Sequence, residues 1–234
     1  MLDRRVADFA EAVAGIRDGA TILLGGFGGA GTPFGLIAAL HAQGTRDLTV
    51  VTNNGGTDEP DLLLLLAAGR VRKLVCSYPK SKAGLTSTFS DLYLAGRIEL
   101  ELVPQGTMVE RIRHGGAGLG GFYTPVSAGT ALGEGKETRV IGGREHVLEW
   151  PIRGDAALIR ARRADRLGNL TYDKTARNFA PVMATAADLV VAEVDEVVGV
   201  GDLDPEAVVT PGIFVDRVVV SAGVPARAKE AAVA

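Results

Sequence analysis

At 234 residues, 47% hydrophobic and 23% charged, the chain is long enough to build one globular domain whose core needs no disulfide or metal staple. A formal net charge of −3 leaves no basic stripe for nucleic acid, and the single Cys76 excludes an intrachain disulfide or an all-cysteine metal cage. No apolar run approaches the roughly 18 residues of a membrane span. The opening MLDRRVADFAEAVAG has no apolar stretch of signal-peptide type, so a cytoplasmic protein is expected.

Val6, Phe9, Val13 and Ile16 recur at helical spacing and stop at Asp18-Gly19. Ala20 to Leu24 is a short apolar run between glycines, the pattern of a buried strand. A glycine loop follows, and Thr32-Pro33 predicts an N-cap with proline at the first helical position, opening a helix that buries Leu36, Ile37 and Leu40 and stops at Gly44. The alternation continues with strands at Leu48 to Thr52, Lys73 to Ser77 and Ile98 to Val103, and helices at Asp61 to Ala68 and Thr88 to Ala95. Thr107 with Glu110 three residues on predicts a capping box for the next helix. Strands alternating with helices specify an α/β fold: an open, doubly wound, mostly parallel sheet with right-handed crossovers.

Residues 115–135 are rich in Gly, Ser and Thr without a period and are expected to form a loop. Arg139 to Ile141 and Glu145 to Trp150, joined through Gly142-Gly143, predict a hairpin insertion. Ala157 to Arg162 and Leu170 to Tyr172 suggest a further strand pair. A helix near Asn178 to Ala187, a strand at Leu189 to Val194 and a closing strand within Ile213 to Val220 complete a single domain, 1–221. The Ala-rich stretch 222–234 is expected to be a frayed tail.

The loop Gly25-Gly26-Phe27-Gly28-Gly29-Ala30-Gly31, between the first strand and its helix, is a candidate anion site. Glycines let the backbone approach a phosphate, and a helix N-terminus offers free N–H groups. A tight turn needing positive φ accounts for one or two glycines on this reading, but not five. Gly26, Gly28 and Gly31 also satisfy the dinucleotide fingerprint, yet the second strand ends Thr52-Asn53-Asn54, with no carboxylate before Asp58 for a ribose hydroxyl. An NAD site is therefore not expected.

Extended outward, Asp18 to Pro33 resembles the first signature of the class I coenzyme A-transferases, an acid, Gly, an apolar run, Gly-Gly-Phe and then Gly-x-Pro. Thr52-Asn53-Asn54-Gly55-Gly56 is similar to the family's Asn-Asn-Ala-Gly turn, with Gly55 in place of the usual Ala. Pro104-Gln105-Gly106-Thr107, Gly116-Ala117-Gly118, Phe122 to Pro125, Ala164-Asp165-Arg166, Gly168-Asn169, Lys174 to Phe179 and Thr210 to Ile213 follow in family order. The resemblance is to the A (alpha) subunits. Arg70 to Lys73 followed by Cys76 to Ser81 looks most like the 3-oxoadipate branch; the acetoacetate branch usually carries Val-Gly-Glu-Asn after the aromatic residue.

The resemblance implies transfer of CoA from succinyl-CoA to a 3-oxo acid through a glutamyl-CoA thioester, with CoA as substrate and no tightly bound cofactor or metal. The nucleophile would lie in a Glu-Asn/Ser-Gly motif of a partner B subunit; here only Glu134-Gly135 comes near it, without the intervening residue. By the same resemblance Gln105 is the oxyanion-hole donor, Asn53 and Asn54 line the site, Gly25 to Gly31 bind CoA, and Lys80 (or Lys82) meets the distal carboxylate of a dicarboxylic acid. Read on their own, the ends of strands in an open α/β sheet converge on one crevice, which brings Asn53, Asn54 and Gln105 toward the glycine loop. Turn chemistry explains Asn53 about as well as a ligand role does. Cys76 reads as a buried thiol; His41, His114 and His146 as surface or helix-end residues; Arg160, Arg162, Arg163 and Arg166 as a solvated or ion-paired face. A 3-oxoacid enzyme of the acetoacetate type and a non-catalytic phosphate-binding module on the related fold stay open as alternatives.

Overall fold

A computed structural model describes residues 2–56, 61–79 and 88–221. In chain order the main elements are α1 (Phe9–Val13), β1 (Thr21–Leu24), α2 (Phe34–Gln43), β2 (Leu48–Val51), α3 (Leu62–Ala67), β3 (Val71–Cys76), α4 (Thr88–Leu94), β4 (Glu99–Leu102), α5 (Gln105–Ala117), β5 (Phe122–Thr124), β6 (Thr138–Ile141), β7 (Arg144–Glu149), β8 (Gly154–Asp165), β9 (Leu170–Thr171), α6 (Ala180–Ala184), β10 (Ala187–Val198) and β11 (Arg217–Val220). The principal sheet runs β4-β3-β2-β1-β8-β10-β11 with every one of these neighbours parallel; β9 adds antiparallel to β8. The chain winds outward from β1 in one direction and from β8 in the other. The topological switch point therefore lies between β1 and β8, at the carboxyl ends of the strands.

The inner strands β1, β2, β3 and β8 bury both faces, because helices cover the sheet above and below. Ile22, Leu24, Val50, Leu74 and Leu158 face the layer that holds α1 to α4. Their neighbours Leu23, Val51, Val75, Ala157 and Ile159 face Met108 and Ile112 of α5 and Ala180, Met183 and Ala184 of α6. This is why these strands read as continuous apolar runs rather than alternating ones. Among the described residues, no helix is long and apolar enough to cross a membrane.

Helix ends depart from expectation at three places. Thr32 does not cap α2; Pro33 occupies that position without a side-chain bond, and the free N–H groups of Gly35 and Leu36 donate instead to one carboxylate oxygen of Glu193, at 2.9 and 3.2 Å. Thr107 and Glu110 form no capping box. Helix α5 starts at Gln105, which puts Thr107 inside the first turn with its hydroxyl buried, while Glu110 pairs with Arg113 and His114. The first helix is one short turn, capped by Asp8, because Arg5 leaves the helical path to bridge to Val218 beside β11.

Glu193 is fully buried on β10. Its other oxygen accepts from Arg160 on β8 at 2.9 Å and from the Ser221 hydroxyl at 3.1 Å. Burial is the largest influence and holds its carboxyl above the usual glutamate range, against the lowering effects of Arg160 and the hydrogen bonds.

The stretch 115–135 is more ordered than its composition suggests. Gly115 and Gly116 belong to α5, and Phe122–Thr124 pairs with β7, so the expected hairpin becomes a three-stranded antiparallel sheet, β5-β7-β6. Gly142 and Gly143 both have positive φ, 58° and 77°, which suits the two-residue turn of the hairpin. A chain of charges fastens this sheet to the main one. The buried Glu149 carboxylate meets Lys136 and Arg111, and Arg111 and Lys73 both reach Glu101 at 2.6 Å. Burial works to raise the Glu101 carboxyl, but hydrogen bonds from Lys73 and Arg111 bring it below the ordinary value.

Packing and proton linkage each generate a test. A Cβ on Gly115 would press into the backbone carbonyl of Ile152, whereas one on Gly106 of the same helix meets open space. Gly115→Ala should therefore cost about 2 kcal/mol and lower the melting temperature by about 4–8 °C, against the usual helix preference for alanine, while Gly106→Ala leaves it unchanged or slightly higher. Glu193→Ala, which strands Arg160 and two helix N–H groups, should cost about 3–5 kcal/mol in urea unfolding. The pH dependence has a defined sign. With its folded value raised above 4.5, Glu193 favours the folded state at low pH, and this contribution is lost as pH rises through the folded value. The stability margin of the wild type over Glu193→Gln should shrink from pH 4 to pH 7; a margin that grows contradicts the assignment.

Candidate active site

The parallel register aligns the strand ends. Leu23 pairs with Val51, Val51 with Val75 and Cys76 with Leu102. Continuing it beyond the strands puts Gly25, Asn53, Ser77 and Val103 in one row, and the Ser77 N–H donates to the Asn53 carbonyl at 3.1 Å. Pro104 then turns the chain into α5, so Gln105 opens that helix at the same edge of the sheet.

The polar side chains of this row are unusual in what they lack. Asn53 is buried, yet its carboxamide oxygen has no hydrogen-bond partner; the hydroxyls of Ser77 and Thr107 are likewise buried and unpaired. Gln105 is exposed, and its side chain makes no hydrogen bond to a described residue. Buried polar atoms without partners are rare in folded proteins, because each costs about 1–3 kcal/mol of desolvation. Three of them lie near the ends of β2 and β3 and the start of α5, which makes this edge the candidate site.

The two asparagines divide their roles. Asn54 makes the turn, its carboxamide oxygen accepting from the Gly56 N–H at 3.1 Å. The Asn53 side chain takes no part in that turn. Gly55 fits here because a Cβ would strike the Pro79 carbonyl.

The glycine loop is a miniature hairpin. Phe27 and Ala30 exchange both backbone hydrogen bonds at 3.0 Å around Gly28-Gly29, whose φ values of 56° and 89° demand glycine. Gly26 and Gly31 also have positive φ; a Cβ on Gly26 would meet Thr32 Oγ1 at 2.5 Å, and one on Gly31 would collide with Ala176. Turn conformation thus accounts for four of the five glycines, more than the one or two expected. Only Gly28 and Gly29 face open space. The helix behind the loop is not a vacant anion seat either: Pro33 has no N–H, and the Gly35 and Leu36 N–H groups are bonded to Glu193. That removes the donor set on which both a dinucleotide site and the expected helix-terminal phosphate seat depend.

What holds the hairpin is Asn178. Strand β1 ends at Leu24, and β9 takes its place beside β8 at Ala164, so the chain after β9 descends over the β1 end. There the Asn178 carboxamide accepts from Gly26 N–H at 3.2 Å and donates to the Ala30 carbonyl at 2.9 Å. In the sequence the Lys174–Phe179 segment stands out only as a block. The residue that does the clasping has no local signature, since its partners lie about 150 positions away.

Lys80 and Lys82 lie outside the described residues. Cys76 is buried in β3, and burial pushes its thiol up to about 12, so it is no thiolate nucleophile near neutral pH. Arg160 and Arg163 are ion-paired, to Glu193 with Asp195 and to Glu196 respectively. His114 stacks on Phe122 with ring centres 4.4 Å apart.

Residues 6–221 match the coenzyme A transferase family. The chain is 54% identical over 223 residues to the A subunit of 3-oxoadipate CoA-transferase from Pseudomonas putida, covering 95% of this chain and 96% of that protein. It is 49% identical over 212 residues to the A subunit of a probable succinyl-CoA:3-ketoacid coenzyme A transferase from Bacillus subtilis, covering 91% and 87%. Among solved structures, the acyl-CoA transferase YdiF of Escherichia coli O157:H7 superposes with a TM-score of 0.82 at 26% identity; the match covers 94% of this chain and 47% of that one, so this chain spans about half its length. The fold, the order of its motifs and these relatives agree, and the chain belongs to the coenzyme A transferase family.

Proposed function

We propose that this chain is the A subunit of a two-chain enzyme that moves CoA from succinyl-CoA to a 3-oxo acid, with 3-oxoadipate the preferred acceptor. The observation that carries the reading is the row of unpaired polar groups at the strand ends, Asn53, Ser77 and Thr107 with Gln105 beside them. The Ser77 and Thr107 hydroxyls and the Gln105 carboxamide can donate to a carbonyl, the Asn53 oxygen can only accept, and none of these groups is a carboxylate. A partner B subunit would supply the missing glutamate. That carboxylate attacks the thioester carbonyl, expelling CoA thiolate and leaving a mixed acyl–glutamyl anhydride. The thiolate then attacks the glutamyl carbonyl, which releases succinate and leaves CoA on the enzyme as a thioester. The acceptor acid repeats both steps in reverse.

Negative charge grows on the thioester oxygen in the first step, and a preorganised carboxamide N–H is worth most at that moment. On this reading Gln105 at the start of α5 would supply that donor, and Asn53, whose unpaired atom is its carboxamide oxygen, would line the site. The names of the relatives from Pseudomonas putida and Bacillus subtilis support the donor and the acceptor class. The higher identity of the former and the Cys76 to Ser81 stretch favour 3-oxoadipate.

Purified alone, this chain should show no transferase turnover, and addition of a B subunit should restore it; turnover by the isolated chain would refute the assignment of the nucleophile. In the assembled enzyme, with assembly confirmed, Gln105→Ala should lower kcat about 100- to 1,000-fold while KM for succinyl-CoA stays within a few-fold. Gln105→Glu, which replaces the donor by an acceptor, should be at least as damaging. Near-normal kcat in both variants would make Gln105 a strand-end residue only. Comparing 3-oxoadipate with acetoacetate as acceptor decides the branch.

A further inference from the structure

Beside the glycine hairpin lies an open groove of about 770 Å³. Phe27, Ala30, Tyr172 and Val209 line it together with Lys174 and Arg177. We infer that this groove takes the phosphates of an adenine nucleotide diphosphate, with Lys174 and Arg177 as the anion clamp; naming that ligand as the phosphorylated end of CoA rests on the function proposed above.

The charge pattern carries the inference. The groove is lined by two cations and no acid. Elsewhere, Lys73, Arg111, Lys136, Arg153, Arg160 and Arg163 all meet carboxylates. Lys174 and Arg177 are exposed and pair with no described residue, not even the neighbouring Asp173. Other cations such as Arg46 and Arg144 also lack a carboxylate partner, but Lys174 and Arg177 line one and the same groove.

Local geometry places them together. Residues Lys174–Arg177 form a 3₁₀ turn, in which positions three apart eclipse, so both side chains leave the same side. The turn is held at a conformational cost: Lys174 has φ 48° and Asn178 φ 22°, both positive. Asn178 fixes it by bonding the carbonyls of Thr175 and Ala176 as well as the hairpin. A clamp ordered before the ligand arrives loses little entropy on binding.

Two further features favour a nucleotide over a simple carboxylate. Phe27 is 45% exposed, which leaves an aromatic face for a base. The hairpin tip offers the N–H groups of Gly28 and Gly29, neither bonded to a described residue. The helix N-terminus that would otherwise seat a diphosphate is filled by Glu193.

The test is calorimetric titration of the isolated chain with ADP, adenosine and adipate, for wild type, Lys174→Gln/Arg177→Gln and the conservative Arg177→Lys, with melting curves as the folding control. Wild type should bind ADP, and adenosine and adipate more weakly. The double variant should lose about 10- to 100-fold in ADP affinity at unchanged melting temperature, and Arg177→Lys should recover part of it. In the complex with a B subunit, the double variant should raise KM for succinyl-CoA and leave KM for the acid unchanged. No ADP binding by wild type, equal binding by the double variant, or adipate binding tighter than ADP overturns the clamp. The two readings fail separately: a chain that binds ADP through these residues but never supports transfer refutes the proposed function, not the clamp.

Discussion

A carboxylate with no access to water ties the architecture together. Glu193 on β10 satisfies the N–H groups of Gly35 and Leu36 at the start of α2 and accepts from Arg160 on β8 and from Ser221 after β11. It thereby joins the half of the sheet wound outward from β8 to the helix that follows the glycine hairpin. A helix N-terminus facing the switch point would attract any anion in solution. By filling that end with a protein carboxylate, the fold withdraws it from ligand binding and fixes the hairpin's exit instead. The hairpin is held at its other side by Asn178, so neither end can drift without breaking a hydrogen bond.

With α2 occupied, the polar capacity of the strand edge falls to side chains. Asn53, Ser77 and Thr107 are left unpaired where β2 and β3 end and α5 begins. The cost of desolvating them is borne by the large apolar layers on both faces of the sheet. Such an arrangement suits the half-site proposed above, with hydrogen-bonding groups held at the ends of strands and the start of a helix.

Much of this is legible in the sequence. The alternation of apolar runs and helical spacing specifies the parallel sheet, and Gly44 marks the end of α2, where it takes φ 86°. Local pattern alone puts Asn53, Asn54 and Gln105 at strand ends. Non-local contacts are what local pattern cannot express. Thr32-Pro33 has the local form of a helix start, but the cap comes from Glu193, about 160 residues away, and a capping carboxylate at that distance leaves no mark near the helix. The Thr107 and Glu110 spacing suits a capping box, yet Pro104 starts the helix early and carries Thr107 past the cap position. Strand β5 is hidden in a Gly-, Ser- and Thr-rich stretch because its pairing is supplied by β7 rather than by its own propensity. The glycine loop has the composition of a ligand cradle, whereas most of its glycines serve a tight turn.

The closeness of Gly55 to Pro79 has a consequence for how such chains diverge and recombine. There is no room for a methyl group between the β2 turn and the backbone after β3, so an alanine at this position would require one of the two to shift. The two stretches are therefore sterically coupled and act as one unit. In a chimera that takes the β2 turn from one parent and the segment after β3 from another, the crossover falls inside that unit, and the mismatch is felt at Asn53, whose carbonyl receives the N–H groups of Ser77 and Tyr78. Crossovers placed in β1 or in α5, outside the pair, leave the strand edge intact.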